Sequence, residues 1–560
     1  MRNWIWLFLV MTVHAQDRTQ ARSMVISDRG IVATSQTLAS QAGAQILARG
    51  GSAMDAALAA DATLGVVEPQ NSGMGGDLFA IYWEAKTGKL TAINASGWAP
   101  KGLTIDFLRS KGYRSMPQEG IQSVTVPGCV DGWSKLHQRF GRLPWSDVFQ
   151  PAIYYAEHGY PVTEIIGAMW AIAAPRIAHD ENGQRVFLKN GEAPQVGEIF
   201  RNPQMAAALR LIAQQGPAAF YRGAIARAIL ATSKRLGGTM TAADLSEFAS
   251  EWVQPLSTDY RGWKVYELPP NGQGIAALEM LNLFSQFPMA SYAPRGVEEL
   301  HVQIEAQKLA YADLHRYVAD PRFSKVPVEG LLSMDYARQR ARLINPAKAN
   351  CDVPPGTPIP VKGDTIYLSV VDHEGNIASL IQSLYQFFGS GVVTDNYGFA
   401  LQNRGALFVM DPQHPDALAP RKRPFHTIIP GFMEKGDVHM GFGIMGGPNQ
   451  PQAQAQFVSN VVDHGMNIQA ALEAPRFTRK VMGGCGVTME DRISKDVRDA
   501  LAAKGHKIET VGDFSSDMGG GQAVIHHSKT GVNYGASSPR KDGAAIPEPA
   551  PYFAAPARKK

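Results

Sequence analysis

The stretch GDTIYLSVVDHEGN, residues 363–376, constrains this chain more than any other. Apolar and small polar residues alternate from Thr365 to Val371. Asp372-His373-Glu374-Gly375-Asn376 carries turn chemistry, and Ile377 to Leu384 returns as a second extended run. The preceding segment, NPAKANCDVPPGTPIPVKG (345–363), is rich in Pro and Gly, has no periodicity and reads as an exposed linker. Sheet therefore begins abruptly at Thr365. A lone threonine in a strand is ordinarily only a good sheet former. One that opens a strand directly after an exposed linker has a second use. If the bond from Asp364 to Thr365 were cut, Thr365 would carry a free α-amine. The amine pKa near ~8 leaves a useful neutral fraction at pH 7. That amine could take the hydroxyl proton while the hydroxyl attacks a carbonyl.

Acyl transfer also needs donors for the developing oxyanion. In GFGIMGGPNQPQAQAQFVSNVVDHG (441–465) an apolar strand ends at Gly446-Gly447 and a helix begins near Pro448 or Asn449. Two glycine N–H groups beside a helix N-terminus make an anion site. Gly-Gly at a strand-to-helix turn is also a common packing device. NSGMGGD (71–77) lacks the Gly-Lys-Ser/Thr ending and the strand-loop-helix order of a phosphate loop, which excludes a nucleotide site there. Neither His-Glu-x-x-His nor Gly-x-Ser-x-Gly occurs. His426, in KRPFHTIIP, stands alone; His301 and His315 read as ordinary helix residues and not as metal ligands.

Elsewhere the pattern mixes helix and strand. Ala39, Ala42, Ile46 and Leu47 have helical spacing that stops at Gly50-Gly51; Ala53 to Val67 reads as an Ala-rich buried helix. The glycine loop 71–77 leads into a hairpin with Thr87-Gly88 at its turn. Residues 140–345 read as mainly helical, with a long amphipathic helix over 297–321, and the Pro/Ala-rich tail from Ala544 reads as loose.

Composition excludes several classes. The net charge is +4 on 54 basic and 50 acidic residues, and the basic tail 557–560 is too short to argue nucleic-acid binding. Arg2, the apolar run Trp4 to Val13 and Val13-His14-Ala15 resemble a secretory signal cut near Ala15. The alternative is an uncleaved anchor; the run is too short for a stable bilayer span. Nothing else reads as transmembrane, so the expectation is a periplasmic or secreted protein. Cys129, Cys351 and Cys485 show neither metal nor redox spacing. They read as buried free thiols, an odd count that argues against a disulfide framework.

The hairpin with its continuation SLIQSLYQFFGSGVV resembles the processing region of the γ-glutamyltransferase family, as do KRPFHTIIP, GIMGGPNQPQ, EAPRF and YGASSPRKDG. ILARGGSAMDAALA, EPQNSGMGGDLF, VPGCVDGW and EAQKLAYAD…DPRF are similar to the same family in its N-terminal half, so the likeness runs over about residues 30–545. The resemblance implies an N-terminal-nucleophile hydrolase with an α+β, four-layer αββα sandwich fold. It implies self-cleavage into a large subunit (16–364) and a small subunit (365–560) that share one intertwined catalytic domain. It implies no metal or organic cofactor, a small-molecule amide as substrate and a possible homodimer of the processed pair. Thr365 corresponds to the nucleophile, Ser383 to an assisting hydroxyl, and Gly446 and Gly447 to the oxyanion hole. The family's glutamate pocket is altered. Ser96 stands at its arginine position, Leu407 at its aspartate, His426-Thr427 at its Ser-Ser pair and Tyr385 at an asparagine. Arg404 stands where an uncharged glutamine is usual. Losing both charged partners of a zwitterion costs several kcal/mol of recognition. The expectation is an amidohydrolase or acyltransferase acting through an acyl-Thr365 intermediate. Its substrate would be a small carboxylate-bearing amide, with Arg404, His426, Thr427 and Tyr385 lining the acyl site. The alternatives are a genuine glutathione hydrolase and an uncut, silent binding protein.

Overall fold

A computed structural model describes residues 20–353, 365–479 and 483–552. The expected signal segment and Asp364 lie outside these residues. The hairpin forms as its pattern requires: Ile366–Val371 pairs antiparallel with Ile377–Ser383, Val371 opposite Ile377. The turn is held by one buried carboxylate. Asp372 accepts N–H bonds from Glu374 (3.1 Å), Asn376 (2.9 Å) and, across the fold, Ala53 (3.0 Å).

This hairpin is the centre of a seven-stranded antiparallel sheet. The strand order is Ala544–Pro547, Ile31–Thr34, Ile366–Val371, Ile377–Ser383, Asp77–Glu84, Lys89–Ala95 and Glu251–Val253. A second seven-stranded sheet is ordered Val25–Ser27, Val532–Ser537, Gly521–His527, Val438–Ile444, Gly431–Lys435, Trp263–Glu267 and Leu256–Tyr260. Residues before and after position 365 interleave in both sheets.

Side-chain alternation defines the layers. Tyr367, Val371, Ile377 and Ile381 join Phe79, Ile81, Phe432 and Val524 in the core between the sheets. Ile366, Leu368, Val370, Ala378 and Leu380 face the other way, onto the buried helix Ala53–Val67. The second sheet turns Met433, Met440, Phe442 and Ile444 toward the helices Gly274–Phe284, Val297–Tyr317 and Asn449–Val462. Helix, sheet, sheet and helix stack as the four-layer αββα sandwich. The helix Ala53–Val67 has its expected bounds, because Ser52 and Asp55 form a reciprocal cap at its start. Among the described residues no helix is long and apolar enough to cross a membrane.

Three expectations need correction. The tail is not loose at its start: Ala544–Pro547 is an edge strand paired with Ile31–Thr34, and backbone hydrogen bonding decides this where composition could not. The described part of the linker is exposed at 345–348 and 351–352, as expected, but it is pinned to the fold at two positions. Ala349 and Val353 are buried, and the Ala349 N–H donates to the Lys504 carbonyl at 2.8 Å. Finally, Cys351 and Cys485 are joined in a disulfide with a Cα–Cα distance of 4.9 Å; Cys129 alone is a buried free thiol. The partners are 134 residues apart, so only the tertiary fold brings them together.

Removing the turn carboxylate with Asp372→Ala leaves the Ala53 and Asn376 N–H groups buried without their acceptor. The expected loss is about 1–3 kcal/mol of unfolding free energy, read from urea denaturation against the parent protein.

Candidate active site

Parity places the site. Thr365 has the same orientation along its strand as Tyr367 and Val371, toward the gap between the sheets. Ser383 has that orientation on the neighbouring strand, and Asp77 is its register partner on the next. Thr365, Ser383 and Asp77 thus lie in a row across three strands at one end of the sheet, all buried. The Thr365 hydroxyl donates to Ser383 Oγ at 3.2 Å, and Ser383 Oγ also accepts the Tyr385 N–H at 2.7 Å.

The second sheet supplies the opposite wall. Val438–Ile444 ends in the Met445-Gly446-Gly447 turn, where Gly446 has φ 120° and Gly447 φ 57°, conformations that favour glycine. The helix starts at Asn449 with Pro448 as its cap residue, as expected. One residue into that helix, Gln450 Nε2 donates to Thr365 Oγ1 at 3.5 Å, while the Gln450 N–H donates to the Gly447 carbonyl at 3.2 Å. Gln273 Nε2 ties the carbonyls of Gly447 (2.9 Å) and Thr427 (2.6 Å) together. The glycine turn, the helix N-terminus and the threonine therefore belong to one cluster.

A charged group sits beside it. Arg404 opens a short 3₁₀ turn and is 0% exposed. Its Nη1 donates to Thr427 Oγ1 at 2.5 Å and its guanidinium lies 4.8 Å from the Tyr385 ring centroid. Nε is 4.0 Å from Asp77 Oδ2, too long for a hydrogen bond, and Nε and Nη2 have no hydrogen-bond partner. Burial lowers the Arg404 pKa to about 10 and raises that of Asp77 to about 7. On both partners desolvation outweighs their attraction, as for a buried pair without direct contact. Asp77 is held from its other side by the Gly97 N–H at 2.9 Å.

His426 completes the group. Its Nε2 is 3.0 Å from Asp77 Oδ2, and the Ile428 N–H donates to its Nδ1 at 3.3 Å. Nδ1 must then be an acceptor, which fixes the neutral tautomer with the proton on Nε2, donated to Asp77. Burial, with Arg404 and Arg423 nearby, pushes the His426 pKa well below its usual value. Tyr385 adopts φ 80°, a left-handed conformation that bulky residues rarely take. Leu407 is buried in the core with Tyr385 and Ala406, and Ser96 hydrogen-bonds Asn94 and Asn271 instead of offering a charge.

The structure thus brings together Thr365, Ser383, Gly446, Gly447, Tyr385, Arg404, His426 and Thr427; Asp364 lies outside the described residues. Sequence reasoning missed Asp77 and Gln450. Asp77 ends the glycine loop set aside as a phosphate site. That loop serves close packing instead, since a Cβ on Gly76 would stand 2.4 Å from the Ser383 carbonyl oxygen. For Gln450 the signal was present: Gln450, Gln452, Gln454 and Gln456 are all buried on one helix. Buried amides on that scale mark backbone edges that need partners. Helix packing also gathers His301, Glu305 and His506. His301 Nδ1 meets His506 Nε2 at 2.8 Å, His506 Nδ1 is left without a hydrogen-bond partner, and the Lys308 ammonium holds Glu305 at 2.6 Å, which opposes a second cation there.

Layered sheets with a threonine and a glycine turn at their joint end define an N-terminal-nucleophile type of hydrolase. The family model for gamma-glutamyltranspeptidase matches residues 39–548. A glutathione hydrolase-like YwrD proenzyme of Bacillus subtilis is 38% identical, covering 93% of this chain and 99% of its own. An oxamate amidohydrolase proenzyme of Klebsiella pneumoniae is 35% identical over 93% and 98% of the two chains. The crystal structure of a cephalosporin acylase from Bacillus halodurans superposes with a TM-score of 0.87 at 42% identity, covering 97% of this chain and 99% of that one. The chain belongs to the gamma-glutamyltranspeptidase family and is an amide-cleaving hydrolase made as a precursor of two subunits.

Stability should report the Asp77 carboxyl. Its folded pKa of about 7 exceeds the unbound value of 3.8, so between these pH values the folded state holds a proton that the unfolded state has lost. Stability contributed by this group therefore falls as pH rises from about 4 to about 7 and then levels. Asp77→Asn should show a shallower decline over that window in urea denaturation; identical slopes would place the Asp77 pKa in the ordinary carboxylate range.

Proposed function

We propose that this protein cuts itself between Asp364 and Thr365 and then hydrolyses, or transfers the acyl group of, a small amide bearing a carboxylate. Residues 16–364 form the large subunit and 365–560 the small one. In the first step Thr365 Oγ1 attacks the Asp364 carbonyl carbon, giving an ester and freeing the Thr365 amine. Water then hydrolyses the ester. In turnover that amine takes the hydroxyl proton as Oγ1 attacks the substrate amide, and passes it to the leaving nitrogen. The Gly446 and Gly447 N–H groups receive the oxyanion, and Ser383 steadies the attacking hydroxyl.

The observation that carries the substrate class is Arg404: a fully buried guanidinium with Nε and Nη2 unpartnered, next to the threonine cluster. A carboxylate can take two parallel hydrogen bonds from such a fork. Thr427 and the Tyr385 ring hold the guanidinium in place, and neutral His426 adds no competing charge. Tyr385 shortens the acyl pocket, which favours a short acid over a glutamyl group. The oxamate amidohydrolase relative is in keeping with this choice. The Cys351–Cys485 bond supports export to the periplasm or medium, where disulfides persist. The processed pair then forms one unit of a homodimer, a state to be read from its mass in solution.

Thr365→Ala should remain full length on a reducing denaturing gel, whereas the parent protein yields two fragments with Thr365 at the new N-terminus. Normal processing of the variant, or another N-terminus, sinks the mechanism.

Substrate choice is tested by kcat/KM. Glutathione and a γ-glutamyl anilide should fall below about 10⁴ M⁻¹s⁻¹, and oxamate should be preferred. Arg404→Met should still self-cleave but lose at least about tenfold on oxamate, the equivalent of one charge-assisted bond of ~1.4 kcal/mol or more. Unchanged oxamate hydrolysis by the processed variant would remove Arg404 from the acyl site.

A further inference from the structure

The Cys351–Cys485 bond lies across the proposed cut: Cys351 precedes Asp364 in the chain and Cys485 follows Thr365. We propose that the processed enzyme is a covalent heterodimer, in which Cys351 of the large subunit is stapled to Cys485 of the small subunit. This rests on the cut between Asp364 and Thr365. Without such a bond the two fragments of a processed chain are held by non-covalent contacts alone.

The site is built to bring the two sulfurs together. On the large-subunit side the Asn350 N–H donates to Glu305 Oε2 at 3.1 Å, and Lys308 Nζ donates to the Asn350 carbonyl at 2.9 Å. The adjacent residue crosses to the small subunit, with the Ala349 N–H on the Lys504 carbonyl at 2.8 Å. On the other side the Lys507 N–H donates to the Cys485 carbonyl at 2.8 Å, at the start of the parallel pairing Gly486↔Lys507. These bonds hold Cys485 and the two residues leading into Cys351 independently of the sulfur bridge. Their Cα separation of 4.9 Å falls within the ordinary disulfide range.

The chemistry of closure is also provided for. Lys308 Nζ is 3.5 Å from Cys485 Sγ. A cation there stabilises the thiolate, the form that attacks a disulfide. The exposed Cys351 thiolate attacks the S–S bond of an oxidant of the disulfide class, forming a mixed disulfide and releasing one oxidant sulfur. The buried Cys485 thiolate, held beside Lys308, then attacks Cys351 Sγ and displaces the second oxidant sulfur. Two electrons pass to the oxidant, which leaves as a dithiol carrying the protons given up by the two cysteines.

The experiment is a denaturing gel of the purified protein, unfolded in the presence of excess alkylating agent and run with and without dithiothreitol, together with peptide mapping. Without reductant the parent protein should run as one species containing both fragments; with reductant it should separate into two. Cys351→Ser should give two fragments in both lanes. Two fragments from the parent without reductant, with the Cys351 and Cys485 peptides both alkylated, overturn the staple. A single band even with reductant overturns the cut, and with it the staple between subunits. A linked Cys351–Cys485 peptide from that sample then shows that the failure lies in processing and not in the bond.

Discussion

The antiparallel register of four strands, Ile31–Thr34, Ile366–Val371, Ile377–Ser383 and Asp77–Glu84, sets everything else in this molecule. A strand has a side-chain period of two, so a slip of one residue would send Thr365 and Ser383 to the helix layer and bring Ile366 and Gln382 into the gap. Burial on both faces forbids that slip. Tyr367 and Val371 are needed between the sheets, and Leu368 and Val370 against the helix Ala53–Val67. The position of the threonine hydroxyl is thus a consequence of core packing. The Asp372 turn holds the register from the far end of the hairpin.

Against this frame the chain places a small set of buried polar groups at high electrostatic cost. Arg404, Asp77 and His426 are all fully buried, and each is shifted toward its neutral form by desolvation. The N–H groups of Gly97 and Gly128 soften the cost at Asp77, and Thr427 Oγ1 does so at Arg404. Two donors of Arg404 stay unmatched. In a protein interior an unmatched donor costs of the order of 1–3 kcal/mol, so a binding anion recovers what folding left unspent. Tyr385 adds backbone strain at the same place, with φ 80° in a residue that rarely adopts it. Backbone strain and an unmatched guanidinium thus lie side by side next to the Thr365 cluster.

The two halves of the chain are inseparable as folding units. The strand Ile31–Thr34 is flanked on both sides by strands from beyond position 365, and the second sheet mixes the halves in the same way. A cut at Thr365 changes covalent connectivity without exposing a domain boundary. The Cys351–Cys485 bridge would keep a covalent link across such a cut; it lies next to a helix, Val297–Tyr317, whose Glu305 and Lys308 hold the segment before Cys351.

The sequence by itself determined the local pieces. Alternation defined the hairpin 365–384, Ala-rich spacing and Gly50-Gly51 the first two helices, and Gly446-Gly447 the strand-to-helix turn. Each depends on neighbours in the chain, where propensity, period and turn chemistry act directly. The motifs also carried the family and hence the sandwich. Only the tertiary structure decided what depends on distant partners. It gave Asp77 and Gln450 their places at the threonine, set His426 against Asp77, paired Cys351 with Cys485 and turned the tail at Ala544 into an edge strand. These rest on contacts between residues tens to hundreds of positions apart. No periodicity encodes such a contact, because strand order and layer packing choose the partner after the local pieces have formed.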